Sequence, residues 1–177
     1  MTIFSASLLA RTAGAALALA LCAPVHAKPT AKPAPVAAPT AEQLAAVRAR
    51  GAEQEIVYFV LPDRFENGDV RNDRGGLKGD RLVTGFDPAH KGFYHGGDLK
   101  GLTQRLDYIQ GLGATAIWFA PVFKNKPVQG PKGDESAGDH GYWVTDFTRV
   151  DPHFGSNADF KAFVDAVEGH GAKLLST

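Results

Sequence analysis

The spacing of apolar positions divides the chain into stretches of different period. After Arg11 comes an uncharged run, Thr12 to Ala23 (TAGAALALALCA), then Val25-His26-Ala27. Such a run is too short to cross roughly 30 Å of hydrocarbon, and compact residues at its end suit a signal peptidase. Residues 1–27 are therefore predicted to be a signal peptide, not a membrane anchor. Leu21 before Cys22 argues against a lipoprotein site. Lys28 to Pro39 (KPTAKPAPVAAP) has no apolar period and is proline- and alanine-rich, which predicts an extended linker over 28–39. Thr40 can cap the AEQLAAVRARG stretch that ends at Gly51, so a short helix is predicted within 40–54.

From Glu55 the pattern changes to strand and helix in alternation. Ile56 to Leu61 (IVYFVL) is a continuous β-branched and aromatic run, expected for a strand buried on both faces. Asp98 can cap a helix over Leu99 to Gly111, in which Leu99, Leu102, Leu106 and Ile109 recur at helical spacing. Ala114 to Val122 (ATAIWFAPV) predicts a second buried strand. Ser156 with Asp159 forms a capping box for a helix over Asn157 to Glu168, carrying Phe160, Phe163, Val164 and Val167 on one face. Ala172 to Leu175 begins a third strand. The order β, α, β, α, β predicts an α/β fold with parallel strands and right-handed crossovers.

Composition narrows the function. The 177 residues carry 19 Lys+Arg against 19 Asp+Glu, with no long run of like charge, so nothing in the field of the chain calls for nucleic acid or an anionic membrane. Cleavage after Ala27 would remove Arg11 and Cys22, the single cysteine, leaving an exported chain that cannot use disulfides. Its stability would then rest on core burial or a bound metal.

Oxygen donors concentrate between Asp63 and Asp73 (DRFENGDVRND). Hard cations such as calcium take six to eight oxygen ligands, yet an Asn-Gly-Asp cluster also forms solvated turns, and the spacing is not that of an EF-hand. Both readings stand on the residues alone. His90, His95 and Asp98 contain zinc-type donors, but histidines five apart share no face of a helix or strand. Asp134 and Glu135 are adjacent in a glycine-rich loop and read as a solvated turn; Asp146 and Asp151 read as strand-end caps.

Three stretches together, VYFVLPDRFENGDVRND, FYHGGDLKGLTQRLDYIQGLGATAIWFAPVF and HGYWVTDFTRVDPHFGSNADFKAFVDAV, resemble the α-amylase superfamily of glycoside hydrolases. The resemblance implies a (β/α)8 TIM barrel, of which residues 55–177 would form an incomplete part: the first two βα units and the start of the third strand. A full barrel typically takes about 250 residues. It also implies a structural Ca2+, with Asn67, Asp69, Asn72 and Asp73 as side-chain ligands, Gly96 through its carbonyl and Asp98 through its carboxylate.

In the family resembled, His140 would hydrogen-bond a glucosyl hydroxyl and Tyr142 would stack on that ring, while Trp143 reads as packing. One departure is Asp139, which stands where the family often has tyrosine. The family's catalytic carboxylates follow its fourth, fifth and seventh strands, so no catalytic residue is assigned here. The implied protein is a secreted or periplasmic enzyme acting on α-glucans such as starch or maltodextrin, the chain being inactive alone. The alternatives are a non-catalytic, calcium-stabilised glucan-binding remnant, or a secreted metal-binding domain unrelated to sugar.

Overall fold

The computed structural model describes residues 40–176, and the expected leader and linker lie outside them. Helix α1, Ala41–Ala49, starts where Thr40 accepts from the Gln43 N–H while the Gln43 side chain returns to the Thr40 N–H, a reciprocal cap. A separate 3-10 turn, Ala52–Gln54, follows, so the stretch 40–54 is a helix and a turn, not one helix. Strand β1 is Val57–Val60, trailed by a 3-10 turn over Pro62–Arg64 and a short helix α2, Arg81–Thr84.

The helix expected from Leu99 to Gly111 is divided into α3, Leu99–Gln104, and α4, Leu106–Gly111. The break has a local cause. Thr103 donates its hydroxyl to the Leu99 carbonyl at 2.7 Å, and Arg105 N–H bonds Leu102, one residue short of helical register, with φ −112 and ψ 14 at Arg105. A hydroxyl that bonds back to the preceding turn bends a helix. Both halves still bury the predicted stripe, Leu99, Leu102, Leu106 and Ile109.

Strand β2, Ala116–Phe119, is shorter than expected. The following segment forms two antiparallel pairs that the apolar pattern did not show: β3, Phe123–Asn125, with β6, Val144–Val150, and β4, Val128–Gln129, with β5, Ser136–Ala137. Helix α5, Asn157–Gly169, begins at the Ser156–Asp159 capping box, and β7, Lys173–Ser176, completes a parallel sheet in the order β1-β2-β7.

Register settles what each sheet face does. Tyr58, Ile117 and Leu174 are aligned on the face that packs with Leu102, Ile109, Phe163 and Val167 of the helices. Each fully buried apolar side chain of that layer contributes about 1.5–3 kcal/mol. Phe59, Trp118 and Leu175 are aligned on the other face at 50%, 41% and 46% exposure. The expectation of buried strands therefore fails on this face for β1 and β2, because α3, α4 and α5 pack on one side of the sheet while Phe59 and Trp118 on the other stay about half exposed.

At the amino-terminal ends of the strands, Arg50 joins α1 to the sheet. Its guanidinium donates to the Thr115 carbonyl (3.2 Å) and the Gly171 carbonyl (2.9 Å), and it pairs with Glu55 (3.1 Å), which Lys173 also reaches at 3.1 Å. These contacts hold Glu55 down at about 2, the Arg50 hydrogen bond being the main cause.

Candidate functional site

The segments that follow β1 and β2 gather at the carboxyl-terminal ends of the strands. Asp98, fully buried, organises the oxygen-rich loop. It caps α3 by accepting from Gly101 N–H at 2.6 Å, and it also accepts from Gly68 N–H (3.1 Å), Asp69 N–H (2.8 Å) and the Asn72 amide (2.9 Å). Asn67 donates its amide to Asp73 at 2.8 Å. Gly96 sits against this pair at φ +95, where a β-carbon would stand 2.5 Å from Asn67 Nδ2 and 2.8 Å from Asp73 Oδ1, so only glycine brings its backbone so close. The expected ligands thus form two contact groups, Asp98 with Asn72 and the Asp69 N–H, and Asn67 with Asp73 and Gly96, and the Asp69 carboxylate joins neither. Asp69 turns instead to Arg71 and Lys100, and the Arg71 guanidinium holds it far below the usual carboxylate range.

The donor set fits a hard cation. Asn72 Oδ1 is buried with no hydrogen-bond partner, an oxygen acceptor of the kind calcium takes. Asp73 is pushed up, first by burial and then by its carboxylate neighbours Asp98 and Asp69, and a cation would relieve that repulsion. Turning the Asn67 amide about its own axis presents oxygen where nitrogen now points. With the ion bound, Asn67, Asn72, Asp73, Asp98 and Gly96 would hold it and tie the loop after β1 to the start of α3. Among the described residues no three His, Cys, Asp or Glu side chains converge on one point, so amide and carbonyl oxygens must make up such a site.

The second expected cluster is compact. Tyr142 N–H donates to His140 Nδ1 at 3.0 Å, which leaves the ring proton on Nε2. The His140 and Tyr142 rings lie 5.7 Å apart at 25°, and Trp143, half-buried, meets His140 edge-on at 4.7 Å. Tyr142 is 55% exposed. Gly141 between them has φ +84, and a β-carbon there would lie 1.8 Å from the Pro121 carbonyl oxygen, so the segment is seated on the end of β2.

The two clusters are joined by Asp63 and Arg64, to which the sequence reading gave no role, and by Asp139, noted there only as a departure from tyrosine. Asp63 accepts from His95 N–H (2.9 Å) and Gly96 N–H (3.1 Å). Arg64 Nε lies 3.1 Å from Asp63, while its other arm pairs with Asp139 and donates to the Lys91 carbonyl at 3.0 Å. Burial pushes Asp63 up to about 6, against the lowering effect of these donors.

The description "Alpha amylase, catalytic domain" matches residues 59–176, which takes in both clusters and the strands that carry them. The chain belongs to the α-amylase family. An α-amylase of Streptomyces lividans is 51% identical over 161 residues, covering 90% of this chain and 17% of that protein. A periplasmic α-amylase of Escherichia coli is 41% identical over 126 residues, 67% of this chain and 18% of that one. Among solved structures, a three-domain cyclomaltodextrin glucanotransferase superposes with TM-score 0.61 at 44% identity over 69% of this chain and 24% of its own. An α-amylase from Geobacillus thermoleovorans complexed with acarbose gives 0.56 at 38% identity over 72% and 23%. The chain thus spans less than a quarter of the length of these relatives.

The remaining candidates fall outside both clusters of this α-amylase family chain. His90 Nδ1 accepts from Gly92 N–H and His95 Nε2 meets the His90 carbonyl, so the histidines share no zinc-like focus. Glu135 accepts from Gly133 N–H and closes the turn expected around Asp134. Asp146, expected as a strand-end cap, lies inside β6 opposite Lys124 and binds Thr148 and Arg149 of the same strand. Asp151 does more than cap: it is buried, bonds His153 Nδ1 at 2.7 Å, and sets that ring flat on Tyr94 at 3.9 Å. A groove of about 470 Å3 between α1, α5 and β7 is lined by Leu44, Val47, Val164 and Leu174, with none of the expected site residues.

Proposed function

We propose that the chain is part of an exported enzyme acting on α-glucans, in which it supplies the first three strands of a (β/α)8 barrel, a structural calcium loop and one sugar-contacting segment. The observation that carries this reading is the His140–Tyr142 unit. An exposed phenol ring stands beside an imidazole whose Nε2–H is presented as a donor, which suits the apolar C–H face and the hydroxyls of one pyranose. Its place after β2 is the end of a barrel where such enzymes keep their sites. The acarbose complex and the periplasmic relative support glucans as ligand and export as the route.

Retaining glycoside hydrolysis needs two carboxyl groups about 5–5.5 Å apart, a nucleophile and an acid/base. Asp63 and Asp139, the buried carboxylates nearest the sugar segment in the hydrogen-bond network, are both engaged by Arg64. The chain alone therefore binds and positions sugar without cleaving it, which also describes a glucan-binding remnant. Calorimetric titration with maltoheptaose tests the reading. Binding by the wild type that weakens tenfold or more in Tyr142→Ala and in His140→Ala is expected; no binding by the folded wild type overturns it. Release of reducing sugar by the purified chain would refute the assignment of a purely binding role. A chelator should lower the melting temperature, and identical melting would remove the calcium.

A further inference from the structure

We propose that Asp63, Arg64 and Asp139 form a bridge through which cation binding at the loop after β1 and sugar binding at His140 and Tyr142 depend on each other, with Asp139 as a positioning residue for the sugar segment. This rests on the functional reading above and adds to it a regulation that neither cluster shows by itself.

The bridge is continuous. Asp63, 2% exposed, receives N–H bonds from His95 (2.9 Å) and Gly96 (3.1 Å), and Gly96 is the residue packed against Asn67 and Asp73. Arg64 spans from Asp63 to Asp139, itself 8% exposed. Asp139 is covalently next to His140. On the far side of His140, Gly141 packs so closely on Pro121 that a β-carbon there would lie 1.8 Å from the carbonyl oxygen. Asp139 and the imidazole thus share one short segment held between Arg64 and Pro121.

Charge gives the bridge a direction. Two buried carboxylates share one guanidinium, beside a loop that adds Asp73 and Asp98, so the network holds more negative charge than it neutralises. Unbalanced buried charge is costly, and Arg64 is the single cation in contact with both carboxylates. A cation seated beside Gly96 offsets the charge on the Asp63 side and leaves the fork of Arg64 to hold Asp139 in place. Conversely, a sugar that fixes His140 fixes Asp139 and Arg64, and through Asp63 the Gly96 turn. Thermodynamic linkage requires the two effects to be equal in size. Tyrosine at position 139, as often in the family resembled, would take away the carboxylate that receives Arg64.

The test is calorimetry on the full chain, titrating calcium chloride with and without saturating maltoheptaose. In the wild type, calcium should bind about fivefold tighter or more when sugar is present. In Asp139→Asn both ligands should still bind and the factor should fall to about one. If that variant does not fold, Arg64→Lys, which keeps the charge and loses the fork, reads the same factor. Hydrogen exchange supplies a ligand-free readout: the His95 and Gly96 amides should exchange faster in Asp139→Asn, while Val167 in α5 is unchanged. A wild-type factor of one with both ligands bound, or an undiminished factor in the variant, overturns the bridge alone. A folded wild type that binds neither ligand overturns the functional reading and the bridge with it.

Discussion

Both ends of the three-stranded sheet use an arginine held between carboxylate and carbonyl oxygens, but to different ends. At the amino-terminal end Arg50 meets Glu55 and two carbonyls that open β2 and β7, and every partner is a structural atom of a strand or its approach. At the carboxyl-terminal end Arg64 meets two carboxylates and one carbonyl, and its partners lead to loops that carry donor atoms. The lower cluster sets two cations, Arg50 and Lys173, against Glu55; the upper one sets two carboxylates, Asp63 and Asp139, against Arg64. An excess of basic groups offers a metal ion nothing, whereas an excess of carboxylate leaves a place for a cation. Conservation of stability at one barrel end and chemistry at the other follows the same division.

The largest effect should come from Asp98→Ala. It removes the α3 cap and strands four donors, three of them in the oxygen-rich loop, so chemical denaturation should show a loss of about 3 kcal/mol or more and calcium binding should disappear. Arg50→Met should cost about 2 kcal/mol, since Thr115 and Gly171 lose a charged donor and Glu55 loses its main partner. Maltoheptaose and calcium affinities should be unchanged in that variant; a change in either would erase the distinction between the two ends.

Glu55→Gln sharpens the comparison by pH. The folded carboxyl sits at about 2 against an ordinary 4.5, so its contribution is fully present above 4.5 and is lost as pH falls toward 2. The melting difference between wild type and variant should shrink over that window; a constant difference would show that the contact with Arg50 does not depend on charge. Trp118→Ala should have the smallest effect, within about 1 kcal/mol, because the ring lies on the uncovered face, whereas Phe119→Ala next to it should cost about 3–5 kcal/mol.

The alternation of strands and helices was legible because each element carries its own signal: the Asp98 and Ser156 caps, the Leu99-Leu102-Leu106-Ile109 stripe, and the β-branched runs. The break at Arg105 was not, since a threonine bonding to its own preceding turn leaves the apolar spacing intact. Strands β3 to β6 were hidden for different reasons: β4 and β5, two residues each, have no period to read, and β3 and β6 pair across a longer stretch of chain.

The sequence by itself determined the family and the donor types, because these depend on residue identity and local spacing. Only the tertiary structure decided that Asp139 answers Arg64 across 75 residues, that Asp69 faces Arg71 and Lys100, and which face of β1 is covered. Such pairings depend on where separate loops end up in space, and a side chain's sequence neighbours carry no record of that.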